Sequence, residues 1–162
     1  MLLLSINPRY AHMILRGEKT IELRRRAPRC SLDFWMALYA TSPEQSLVGL
    51  VQAVEILADR PEALWERVKN GCAISEKEFR GYFARTQRAF GIRLNAPLTL
   101  EKPLRLDSLR RSWPGFRPPR SFAYLAEPMI KGVWAQAVTG TVSVVGSGIQ
   151  TATENSARPH QL

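Results

Sequence analysis

Cysteine is nearly missing from this chain. Cys30 and Cys72 stand far apart, with no CxxC and no histidine pairing. Two solitary thiols exclude a disulfide scaffold and a structural zinc site of the usual spacing. Histidine is as scarce: His12 and His160 have no partner at ligand or triad spacing. No GxSxG or P-loop occurs, and Gly146-Ser147-Gly148 lacks the third glycine and the strand–helix flanks of a dinucleotide site. Neither a metal nor a cofactor is therefore expected. No apolar run approaches a membrane span, and the opening MLLLSI is too short and too uncharged at its start for a signal peptide. The expectation is a soluble protein in a reducing, cytoplasmic setting, with no membrane partner. Acidic residues are also few, 14 against 23 basic ones, which gives a net charge of +9 and a pI near 10.3. The excess is uneven. Residues 1–81 carry 12 basic and 10 acidic side chains, residues 82–162 carry 11 and 4. Such a balance suggests an anionic partner, nucleic acid before membrane. Arginine outnumbers lysine, as suits bidentate phosphate contacts.

What is present concentrates in Ile6 to Arg26. Asn7 can cap a helix whose first position is Pro8, where the missing N–H costs nothing. Ala11, Ile14 and Leu15 give that helix one apolar stripe, and Gly17 suits a left-handed C-terminal residue. Thr20 to Arg24 then alternates polar and apolar with period two, which predicts a half-buried strand. Ile21 and Leu23 face the core, so Thr20, Glu22 and Arg24 share the other face, with Lys19 in the turn above. A hydroxyl, a carboxylate and a guanidinium fed by a lysine make a compact polar constellation. A solvated strand face with a cross-strand ion pair fits the same spacing, since surface charge pairs are common and weak.

Around this stretch the chain reads as one domain, long enough to bury its own core. Leu2–Ile6 and Phe34–Thr41 predict buried strands, and Leu47–Leu57 a long one in which Gly49 allows a bulge or a close approach. Asp59 can cap a helix from Pro61, with Leu64, Trp65 and Val68 inward. Ser75 and Glu78 form a capping box for the next helix. Its Phe79, Tyr82 and Phe83 are expected in the core rather than as a base-stacking platform. Strands follow at Gln87–Leu94 and Leu98–Leu106, the second demoted to an edge or interrupted strand by Pro103. Arg110, Arg111, Arg117 and Arg120 alternate with Trp113 and Phe116. That suits a loop facing nucleic acid, or one that packs its rings inward and solvates its charges. Ser121–Leu125 reads as a final ordered turn, residues 133–150 as one or two small strands, and the last twelve residues as disordered. Two helices after the first, among five or six strands, give a small mixed α+β barrel, mainly antiparallel and half-open.

These residues resemble the ASCH domain of the PUA-like superfamily. Its signature after a short N-terminal helix is GxKxxExR, and Gly17, Lys19, Glu22 and Arg24 match each fixed position. Tyr39–Pro43 before Val48-Gly49, and the run Pro118–Phe122, agree with a subgroup. The likeness spans about Leu2 to Leu125, giving a domain over 1–131 and a partly disordered extension over 132–162. It implies a PUA-like β-barrel with the motif lining a cleft beside the first helix. Members are thought to bind RNA or modified nucleosides. Some resemble N4-acetylcytidine amidohydrolases, and nuclease activity has been claimed for others. In the amidohydrolase pattern a threonine stands three positions after the lysine; here that position is Glu22, and the nearby hydroxyl is Thr20. The leading expectation is an RNA-binding module. Lys19, Arg24, Arg25 and Arg26 would meet phosphate, Glu22 would accept from a base amine, and Arg110, Arg111, Arg117 and Arg120 would flank the cleft. The second is a hydrolase, an amidohydrolase or ribonuclease, working through Lys19, Glu22 and Thr20, with Glu55 and Ser121 as further candidates. The third is a protein-interaction domain whose charge serves solubility and partner choice.

Overall fold

The computed structural model describes residues 1–29 and 33–141, apart from the side chains of 139–141. The expected hairpin over Gly146–Gly148, the polar tail and His160 lie outside the described residues. Six strands form one sheet: β1 Leu2–Ile6, β2 Ile21–Arg24, β3 Phe34–Ala40, β4 Ser46–Asp59, β5 Ala89–Arg105 and β6 Phe122–Tyr124. Their order is β2-β5-β4-β3-β1-β6, and every pair is antiparallel except β1 with β3. Among the described residues there are five helices: α1 Pro8–Leu15, α2 Pro61–Val68, α3 Glu76–Phe83, α4 Leu106–Ser112 and α5 Glu127–Thr141. The expected mixed α+β half-barrel is thus present, with two helices more than expected. No helix among the described residues is long and apolar enough to cross a membrane.

Local chemistry fixes the first elements. Asn7 Oδ1 accepts from the Arg9 N–H at 2.9 Å, Pro8 opens α1, and Gly17 adopts φ 76° just past the helix end. Gly49 is both a bulge and a close approach. The register of β4 shifts between Leu47 and Gly49, and a Cβ at Gly49 would lie 2.5 Å from the Leu98 carbonyl and from the Leu15 side chain. The bulges bend β4 and β5, the long central strands, so the sheet curls. One core cluster, including Leu4, Ile14, Met36, Val51 and Ile92, fills the space under α1. A second joins Leu3, Tyr39 and Leu50 to Leu109, Phe116, Val133 and Ala137. The third packs Ile21 and Leu23 against Leu64, Val68, Phe79 and Phe83.

Three local expectations are corrected. Arg60, not Asp59, is the N-cap residue of α2, because the Asp59 carboxylate accepts from Arg60 N–H and never reaches into the first turn. Gln87–Leu94 and Leu98–Leu106 belong to the single strand β5, which pairs with β4 across both halves. Pro103 is tolerated because β2 covers only Phe90–Arg93, leaving the far half of β5 with a free edge. Residues 133–141 are helix rather than strand. Val133 and Ala137 are buried, and Trp134 packs edge-on against Trp35 at 5.0 Å, so this segment closes the second core cluster.

Candidate functional site

Lys19, Glu22 and Arg24 are brought together, but not on a solvated face. Lys19 and Glu22 are only 3% and 5% exposed. Glu22 stands between the two cations: Oε2 lies 3.5 Å from Lys19 Nζ, and Oε1 lies 2.9 Å from Arg24 Nε in an ion pair off the hydrogen-bonding line. Lys19 Nζ also donates to the Cys72 carbonyl at 2.6 Å and sits over the Tyr10 ring at 5.3 Å. The link between α2 and α3 sets this lysine in place. Its Gly71 carbonyl accepts from the N–H groups of Thr20 and Ile21, both at 2.9 Å, one residue before the Cys72 carbonyl takes the ammonium. Burial is the largest influence on Lys19 and holds its pKa below the ordinary lysine value, while Glu22 pulls it back up. A buried charge array of this kind costs desolvation that a well-packed apolar substitute would avoid, so stability alone does not explain it.

Arg24 closes the barrel. It leaves β2, one edge of the sheet, and donates from Nη2 to the Ser5 carbonyl at 2.9 Å and from Nη1 to Ser121 Oγ at 3.4 Å. Ser5 is on β1, and Ser121 directly precedes β6, the other edge. The two edges are joined by a guanidinium rather than a ladder.

Beside the array lies an open cleft of about 400 Å³. Lys19, Glu22 and Arg24 form its floor with Ser5; Asn7 and Tyr10 come from the start of α1, and Ile74, Glu78 and Tyr82 from the α3 side. Ser5 Oγ is buried and has no hydrogen-bond partner. Tyr82 is half out of the core, unlike Phe79 and Phe83, and takes the Arg25 guanidinium over its ring at 4.5 Å while its carbonyl accepts from Arg25 Nε at 2.8 Å. The expected core role therefore holds for the two phenylalanines and not for Tyr82.

The other candidates lie elsewhere. Thr20 is exposed, its hydroxyl set against Gly71 rather than in the cleft, because the strand begins only at Ile21. Glu55 makes a surface pair with Arg93 at 2.7 Å, on the β4–β5 ladder. Ser121 stands behind the cleft as a partner of Arg24. Arg26 is exposed. Arg110 lines a separate pocket with Gln45 and Asp107, and Arg111 pairs with Asp107. Arg117 and Arg120 are exposed, while Phe116 is buried and Trp113 packs beside it. Sequence reasoning missed Ser5, Tyr10 and Tyr82. Ser5 carried a signal, a lone hydroxyl inside the apolar run Leu2–Ile6.

No group of three or more His, Cys, Asp or Glu residues that could hold a metal occurs among the described residues. The arrangement can instead accept a donor at Glu22, offer a hydroxyl at Ser5, place a cation at Lys19 and stack a ring on Tyr10 or Tyr82.

The family model for the ASCH domain matches residues 4–93, a span that holds the whole array. An ASCH domain-containing ribonuclease of Zymomonas mobilis is 34% identical over 124 residues, covering 75% of this chain and 82% of that protein. The crystal structure of ASCH from Zymomonas mobilis superposes with a TM-score of 0.74 at 29% identity, over 88% of this chain and 94% of that one. The N-terminal domain of Staphylothermus marinus McrB shares the fold at 14% identity, with a TM-score of 0.54 over 83% of this chain and 93% of its own. The signature residues, the half-barrel they close and these matches agree: this chain belongs to the ASCH domain family.

Proposed function

We propose that this protein binds single-stranded RNA and takes one nucleobase into the cleft. The observation that carries this reading is the unpartnered, buried Ser5 hydroxyl, which lines the open cleft together with the Glu22 carboxylate. Buried polar groups are normally satisfied, so a site that leaves them open is arranged for a ligand that completes them. Glu22 accepts from an exocyclic amine, Tyr10 and Tyr82 supply ring faces, and Lys19 supplies charge toward the backbone. The likeness to a ribonuclease supports RNA as the nucleic acid. Uracil places a carbonyl where cytosine has its amine. Equilibrium titration of short oligocytidine and oligouridine should therefore show tighter binding of oligocytidine by the wild type. Glu22→Gln, checked as folded by its thermal melt, should lose that preference and keep its salt slope. Equal wild-type affinity for both oligomers contradicts the reading.

Lys19 favours a second reading, in which the 2′-hydroxyl of the RNA, rather than a base amine, meets Glu22 and the strand is cleaved. The 2′-hydroxyl attacks the adjacent phosphorus while Glu22 takes its proton. As the bond to the 5′-oxygen breaks, the Lys19 ammonium gives that oxygen a proton. Burial favours the neutral amine and so makes this lysine the better acid. Proton return from Glu22 to Lys19 restores the site across their 3.5 Å separation. The products carry a 2′,3′-cyclic phosphate and a 5′-hydroxyl. An end-labelled oligomer incubated with a chelator should yield these ends with wild type and none with Lys19→Met. Cleavage of a 2′-deoxy oligomer, or undiminished cleavage by Lys19→Met, contradicts it.

A further inference from the structure

A second cavity, of about 620 Å³, opens next to the cleft. Its walls carry Arg25, Arg26, Arg29 and Arg88 together with Phe90, Phe122 and Tyr124, and no acidic residue. Among the described residues, Arg26, Arg29 and Arg88 have no ion-pair partner. Contacts also tie the pocket's walls together. Tyr124 Oη donates to the Arg29 carbonyl at 3.0 Å and accepts from its N–H at 2.7 Å, Phe122 and Tyr124 meet edge-on at 6.3 Å, and Arg88 lies over Phe90 at 5.5 Å. Two links tie it to the cleft. Arg25 forms its wall and stacks on Tyr82, which faces the cleft. Ser121, bonded to Arg24, directly precedes Phe122.

We propose that this arginine–aromatic pocket is a second nucleotide subsite, so that the protein's ligand is an RNA of two or more nucleotides rather than a free nucleoside. The inference rests on the reading of the cleft as a nucleobase site. Unpaired guanidinium groups take the phosphate that links the two nucleotides. The face of Tyr124, 57% exposed, offers the neighbouring base a stacking surface. Arg25 lines the pocket and Tyr82 lines the cleft, and their contact joins the two, so one strand reaches from one to the other.

The test compares cytidine, the dinucleotide CpC and oligocytidine with the full-length protein, its double variant R26Q/R88Q, and Tyr124→Ala. All three changed residues lie on the surface or its margin, and thermal melts check folding. R26Q/R88Q should weaken oligocytidine by at least about tenfold and flatten its salt slope by about two phosphates, leaving cytidine unchanged. Tyr124→Ala should weaken CpC and leave an abasic analogue unaffected. If R26Q/R88Q binds oligocytidine as the wild type does while Glu22→Gln still loses base preference, the subsite is wrong and the cleft reading stands. If R26Q/R88Q loses binding but Glu22→Gln changes nothing, the pocket is an isolated anion site and the two-subsite proposal is overturned. No binding of any oligomer by wild type overturns both.

Discussion

Ser5 separates ligand recognition from stability more cleanly than any other side chain in the cleft. Its hydroxyl is buried and unpartnered, so the folded protein gains no hydrogen bond from it. Ser5→Ala should leave the urea midpoint unchanged or raise it, yet weaken oligocytidine binding about five- to tenfold, the worth of one hydrogen bond. A lowered midpoint with unchanged affinity would assign Ser5 to the fold instead. Lys19 makes a different prediction through pH. Its folded pKa is held below the ordinary 10.5 by burial. Between the two values the unfolded chain holds a proton that the folded chain has released, so this group adds stability as pH rises through that window. At lower pH both states are charged and the full cost of burying the ammonium is felt. The stability of wild type relative to Lys19→Met should therefore grow on the alkaline side, and a flat difference across the same urea series contradicts it. Much of this site was legible, because GEKTIELR places a lysine, a carboxylate and a guanidinium at fixed spacing. The burial of the array was not. Strand alternation says which side chains share a face, and only the curl of the sheet says that the face is covered.

At the scale of elements, the helix starts that carry their own chemistry were readable, and those made by distant packing were not. Asn7-Pro8 opens α1, and the Ser75–Glu78 box opens α3 with both reciprocal bonds formed. In contrast, α5 carries Val133, Trp134, Val138 and Thr139, which favour strands, together with two glycines. It is helical because Val133 and Ala137 fill the second core cluster and Trp134 meets Trp35. Ala96 adopts φ 46° between Asn95 and Pro97, yet β5 runs through it because β4 continues to pair on either side. Gly49 was readable from its place within a strand, and it gives the element-scale prediction. Gly49→Ala puts a methyl 2.5 Å from the Leu98 carbonyl and from Leu15, so β5 or α1 must shift. The variant should lose about 1–3 kcal/mol in urea unfolding. Unchanged stability would mean that the β4–β5 bulge yields freely.

On the scale of the whole molecule, the barrel is held shut at its mouth by Arg24, so the residue that spans the sheet edges also orients the carboxylate of the cleft. Two groups of arginines carry no acidic majority around them. One lies beside the cleft, at Arg25, Arg26, Arg29 and Arg88; the other lies on and after α4, at Arg110, Arg111, Arg117 and Arg120. Composition could not choose between them, since net charge reports an anionic partner without a location. The fold does distinguish them: Phe116 behind α4 is buried, Trp113 packs beside it, and the cleft residues open outward. The measurement that tests this most directly is photo-crosslinking of a 5-iodocytidine-substituted RNA oligomer to the full-length protein, with the attached residues mapped by mass spectrometry. The account predicts adducts on Tyr10 and Tyr82, with Tyr124 joining them as the oligomer lengthens. Adducts confined to Trp113 and the Arg110–Arg120 segment would contradict it and move the RNA site away from the cleft.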